Sequence, residues 1–120
     1  MEDQATADRP TSEPPGDQIP LTCPECNGPL YEVTDGELMQ FQCFVGHRFS
    51  PESLSEQHTE ALERALWTAI RKLKERVVLH QNLMEKKRNK GEDELIIRLE
   101  ESVTTAEKDL KLLREILDRI

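Results

Sequence analysis

The chain has 120 residues, a third of them charged, with 24 Asp and Glu against 16 Lys and Arg and a net charge of −8. That length suffices for one small domain plus an extended element, but not for a catalytic α/β domain. No apolar run approaches the ~18 residues of a membrane span, and the acidic start lacks the apolar stretch of a signal peptide.

Residues 1–20 carry Pro10, Pro14, Pro15, Pro20 and Gly16 among polar residues, and Ile19 is the only sizeable aliphatic side chain after Met1. Such a segment buries too little surface to offset the entropy of ordering it, so a disordered acidic tail is expected. Glu2, Asp3, Asp8, Glu13 and Asp17 outnumber Arg9 there. A solvated leader is preferred over an acidic docking peptide.

All three cysteines lie in residues 21–50, as Cys23-Pro24-Glu25-Cys26 and, after sixteen intervening residues, Cys43-Phe44-Val45-Gly46-His47. C-x2-C followed by C-x3-H is the ligand set and approximate spacing of a tetrahedral Cys3His zinc site. Thiolate sulfur and imidazole nitrogen suit a borderline-soft cation. His47 is preferred to His58 as the fourth ligand, because it sits within one turn of Cys43 while His58 falls in an expected helix. Four protein ligands leave no open position, so one structural Zn2+ is expected. A disulfide would strand one cysteine of three, and a thioredoxin-like redox C-x-x-C needs a βαβ setting that ~30 residues cannot hold.

Between the two turns, Leu30–Val33 and Glu37–Cys43 are rich in strand formers and flank Asp35-Gly36, a strong hairpin signal. The register expected from that turn sets Val33 opposite Leu38 and Leu30 opposite Phe41. Arg48 and Phe49 can add a short third strand, completing a zinc ribbon. So small a core needs the ion for most of its stability.

From residue 51 the apolar period becomes helical. Ser50-Pro51 is an N-cap followed by Pro at the first helical position. Leu66, Ile70, Leu73, Val77, His80 and Met84 then step 4-3-4-3-4, and no further Gly or Pro occurs before Gly91. One helix of ~38 residues, ~55 Å long, is expected, with a turn near 89–92. Glu92, Asp93 and Glu94 open a second helix with a strict heptad seam: Ile96, Leu99, Val103, Ala106, Leu110, Leu113, Leu117 and Ile120. Folded back at Gly91, the two seams face each other with residue numbers adding to about 180, so residues 51–120 should form an antiparallel helical hairpin, a two-stranded coiled coil. His80 is read as an imidazole at the seam edge reaching solvent, in preference to a second metal site.

Leu62, Leu83, Leu95 and Ile116 flank the seams on one side, and Trp67 lies on that surface or at its rim. They are candidate interaction residues: scattered exposed apolars, a docking face for another protein, or the face on which two hairpins pair into a four-helix homodimer. Self-association is the preferred expectation. The helical region holds 15 acids against 14 bases, so nucleic acid is an unfavoured partner.

The runs Leu21–Leu30, Asp35-Gly36 and Phe41–Leu54, with Glu60-Ala61-Leu62-Glu63-Arg64-Ala65-Leu66-Trp67, resemble the C-terminal extension of some bacterial CheB-type proteins. These are chemotaxis protein-glutamate methylesterases and their stand-alone relatives, in which a CPxCGG turn and a CxxGH turn precede a long helix. The resemblance covers roughly residues 21–75 and departs at Asn27, where the family turn often has Gly. It implies Cys23, Cys26, Cys43 and His47 as metal ligands, and an accessory module of two-component or chemotaxis-like signalling. The family's esterase domain has no room in this chain. The expected function is a non-enzymatic, cytoplasmic zinc-binding protein–protein interaction module. The alternatives are a nucleic-acid-associated, transcription-related zinc ribbon and a zinc-thiolate redox switch.

Overall fold

The computed structural model describes residues 13–88 and 90–120; the first twelve residues of the tail expected over 1–20, and Asn89 of the expected turn, lie outside the described residues. The chain divides into two compact units, 1–61 and 62–120. Four antiparallel strands are followed by two long helices that pack together.

The sheet is a meander of β1 (Asp17–Thr22), β2 (Pro29–Asp35), β3 (Leu38–Cys43) and β4 (Arg48–Phe49), in that spatial order. The first strand departs from expectation, because residues 17–20 belong to the sheet and not to the tail. Asp17, Gln18 and Ile19 pair with Glu32, Tyr31 and Leu30, satisfying the outer edge of β2, and Ile19 packs against the core. Pro20 gave no strand signal because proline cannot donate to a ladder. It is accommodated where the register breaks between Ile19 and Thr22, on an edge strand, which is where a sheet tolerates proline.

The hairpin also departs in register. Leu30 pairs with Cys43, Val33 with Gln40 and Asp35 with Leu38, so Gly36 and Glu37 form the two-residue loop in place of Asp35 and Gly36. Gly36 is thus the first central residue, at φ +68°, the position for which a type II′ turn requires glycine. The two-residue slip keeps every side chain on its expected face, so only the partners change.

Leu30, Cys23, Cys43, Phe49 and Leu54 form the core of this unit, with Ile19 and Phe41 packed against it. Tyr31 is buried and meets Phe44 edge-on, with ring centroids 5.1 Å apart. The start of α1 (Pro51–Lys87) is set by Ser50, whose Oγ accepts the N–H of Ser53 at 3.1 Å. Phe49 before that cap and Leu54 in the first turn share the cluster, the arrangement of a hydrophobic staple.

In the second unit, α1 is followed by Gly91 at φ +70° and then α2 (Asp93–Asp118). Lys87 Nζ reaches Glu92 Oε2 at 3.4 Å across the turn, and Glu92 caps α2 without a side-chain hydrogen bond. Burial follows the expected seams. Ile70, Leu99, Val103 and Ala106 are buried; Leu66, Leu73, Val77, His80, Met84, Ile96, Leu110, Leu113 and Leu117 are half-buried; Ile120, at the end, is exposed.

Two outcomes follow. A Cβ on Gly16 would overlap the backbone carbonyl oxygen of Glu32, so Gly16→Ala should displace the entry to β1 and cost about 1–3 kcal/mol, read as weakened amide protection in β1 and β2. Ile70 is 2% exposed, so Ile70→Ala should cost the helical unit about 2–4 kcal/mol, read as a lower melting temperature at 222 nm.

Candidate metal centre

Two backbone turns bring the ligands together. In the first, the N–H of Asn27 donates to the carbonyl of Cys23 at 2.8 Å and the N–H of Cys23 to the carbonyl of Gly28 at 2.7 Å. Asn27 takes a left-handed conformation, φ 64°, the one non-glycine among the described residues to do so, and its short polar side chain tolerates it. In the second turn, the N–H of Gly46 donates to the carbonyl of Cys43 at 3.2 Å, and the N–H of Cys43 to that of His47 at 3.1 Å. The first turn follows β1 and the second links β3 to β4, so the sheet fixes their separation.

Cys23, Cys26, Cys43 and His47 present ligand atoms that all lie within 4.8 Å of one another. Nδ1 of His47 is 3.5 Å from Cys23 Sγ and 3.4 Å from Cys43 Sγ, and Cys26 Sγ is 3.7 Å from Cys43 Sγ. Around one tetrahedral ion with metal–sulfur bonds of ~2.3 Å and metal–nitrogen bonds of ~2.0 Å, sulfur–sulfur edges are about 3.8 Å and sulfur–nitrogen edges about 3.5 Å. The four side chains therefore fit a single metal ion. The ligating nitrogen would be Nδ1, the atom nearer the backbone, which suits a ligand only four residues from Cys43.

The sulfurs sit in unlike surroundings. Cys23 and Cys43 are fully buried, whereas Cys26 is exposed. Burial pushes the Cys23 thiol up, against backbone N–H groups of Cys26 and Glu25 that favour its thiolate. Burial acts in the same direction on Cys43. There it is outweighed by the N–H groups of His47, Gly46 and Val45 and by the Cys26 side chain, and the thiol is lowered to about 7. Hydrogen bonds to sulfur of this kind spread thiolate charge, which is what lets several thiolates share one small site.

The remaining sequence candidates separate from this cluster. His58 is exposed on α1 and outside the ligand group. His80 is half-buried, its Nδ1 is buried without a hydrogen-bond partner, and no ligating cluster forms around it among the described residues. Of the proposed interaction residues, Leu62 and Trp67 are exposed, while Leu83, Leu95 and Ile116 are half-buried. Val78, Leu79, Ile97 and Leu112 are each more than half exposed and lie outside the expected set, because none sits on the two seams or at the heptad position of the flanking Leu62, Leu83, Leu95 and Ile116. No helix of the described residues is long and apolar enough to cross a membrane. No family model matches the chain, and neither curated proteins nor solved structures give a match.

The ligand set can be checked with cobalt as a spectroscopic probe. Co2+ added to the reduced chain should give the visible bands of a four-coordinate sulfur-rich site. His47→Ala should shift those bands and weaken binding by on the order of a hundredfold. His58→Ala should leave them unchanged, and a shift there would reassign the fourth ligand.

Proposed function

We propose that this protein is a zinc-stabilised, non-enzymatic interaction module that binds a protein partner, either another protein or a second copy of itself. The observation that carries this reading is the convergence of three sulfurs and one nitrogen to within 4.8 Å of one another, with His47 Nδ1 to Cys23 and Cys43 and Cys26 to Cys43 at tetrahedral separations. Sulfur-rich tetrahedral sites favour Zn2+ over oxygen-seeking Mg2+ or Ca2+. With four protein ligands there is no open coordination position at which the ion would polarise a substrate or activate water. The ion's part is then to hold the two turns, and with them a sheet whose apolar core is too small to be stable alone.

The helical unit supplies the surface for partners. Exposed apolar side chains on both helices, Trp67 and Val78 on α1 and Ile97 and Leu112 on α2, lie outside the seam that joins them. The likeness of residues 21–75 to the extension of bacterial CheB-type proteins supports a place as an accessory component of two-component or chemotaxis-like signalling. Thiolates held by zinc suit a reducing cytoplasm.

The purified full chain should carry one zinc per molecule. Removing it with a strong chelator, or replacing Cys43 by Ser, should abolish amide protection across residues 17–49. A sheet equally protected without metal would sink the structural role of the ion. Affinity capture from the host with wild type and Cys43→Ser should recover the same partners, and different sets would make the ribbon part of the binding surface. Identical sets would assign binding to the helices alone.

A further inference from the structure

The seam of α2 is not the only heptad-spaced strip on that helix. Leu95, Arg98, Ser102, Thr105, Asp109, Leu112 and Ile116 each precede a seam residue by one position, so they form a second strip about 100° round the helix from the first. It is accessible: Arg98, Thr105, Asp109 and Leu112 are exposed, and Leu95, Ser102 and Ile116 half-buried.

The order of chemistry along this strip is palindromic. From Leu95 to Leu112 it runs apolar, charged, hydroxyl, hydroxyl, charged, apolar in either direction, with the two charges opposite in sign; Ile116 lies beyond the symmetric stretch. Leu95 mirrors Leu112, Arg98 mirrors Asp109 and Ser102 mirrors Thr105, about a midpoint between Val103 and Thr104. A two-fold axis at that midpoint, perpendicular to the helix, sets each residue against its mirror on a second copy, as an isologous interface requires.

We propose that this strip is a self-docking surface, on which α2 pairs antiparallel with α2 of a second copy of the same chain. The pairing rests on the reading of the chain as an interaction module and specifies one partner and one register. Arg98 meets Asp109 of the partner subunit twice, once on each side of the axis. Leu95 meets Leu112 of the partner subunit at both ends of a contact about 25 Å long. Parallel pairing is disfavoured, since it sets Arg98 against Arg98 and Asp109 against Asp109.

The charges are free to make these contacts. In the single chain Arg98 reaches only Glu94, at 3.9 Å with both side chains largely exposed, and no ion pair engages Asp109 among the described residues. Next to the strip, Glu101 comes near Lys108 of the partner subunit, while Glu94 and Glu115 meet with like charge at the outer ends, where solvent screens them most. On α1 the matching flank carries Leu62, Ala69, Arg76 and Leu83 at seven-residue spacing. Arg76 lies level with the axis, which makes the α2 pair the closest contact of the resulting four helices.

Sedimentation equilibrium of the full zinc-loaded chain tests this. Wild type should dimerise, and Arg98→Asp or Asp109→Arg alone should weaken the dimer about tenfold, because each places two like-charged pairs across the axis. The double variant, Arg98→Asp with Asp109→Arg, should regain wild-type association, since the reversed pair is again complementary. Leu112→Ser should weaken association with no charge change. Helical content and zinc content should stay unchanged throughout, because every substituted residue is exposed. A chain that stays monomeric, or a double variant as weak as the singles, overturns the pairing. Zinc content, read on the same samples, separates that outcome from a failure of the metal reading.

Discussion

Four ligand atoms drawn to within bonding reach of one point are the constraint on which the first unit depends. Three of them come from residues whose thiols would otherwise repel one another on ionising, and two of those thiols are fully buried. Without an ion, Cys23 and Cys43 are oppositely perturbed, one raised by burial and the other lowered by a fan of backbone N–H groups. A divalent cation would remove that conflict by accepting all three thiolates at once. The sheet would then have a fixed point at each of its two turns, beside the cluster in which Leu30, Phe49 and Leu54 surround the buried Cys23 and Cys43.

The same few residues connect that point to the helices. His47 ends one metal turn, Arg48 and Phe49 form the last strand, Ser50 caps the helix and Leu54 returns to the core, so eight residues serve ligand, strand, cap and staple in succession. Arg48 also ties the sheet surface together: its guanidinium donates to Gln42 Oε1 at 2.7 Å and to Gln40 Oε1 at 3.0 Å. Economy of this kind is expected where an apolar core is too small to fix the chain by burial alone.

In the second unit stability comes from repetition. No single contact dominates; residues at seam spacing remove a continuous apolar strip from water. What remains outside the seam is the part of the molecule available to others. On α2 that remainder has an order of its own, with charges of opposite sign placed symmetrically about the middle of the helix. A copy related by a two-fold axis perpendicular to the helix would complement such an arrangement, and one paired in parallel would not.

Much of this was legible in the residues themselves. Metal-ligand spacing is a local property, so Cys23, Cys26, Cys43 and His47 identified the site without any knowledge of the fold. Heptad periodicity is equally local, and it marked the buried positions Ile70, Leu99, Val103 and Ala106. Tertiary structure alone decided three matters that depend on partners distant in sequence or on backbone geometry. It recruited Asp17–Thr22 as an edge strand, since its partners on β2 lie beyond the first metal turn, Asp17 pairing with Glu32 and Thr22 with Pro29, and Pro20 conceals the signal. It set the hairpin loop at Gly36-Glu37, because turn type, not composition, chooses between registers two residues apart that present the same faces. It also assigned Nδ1 of His47 to the cluster, a matter of ring orientation on which spacing is silent.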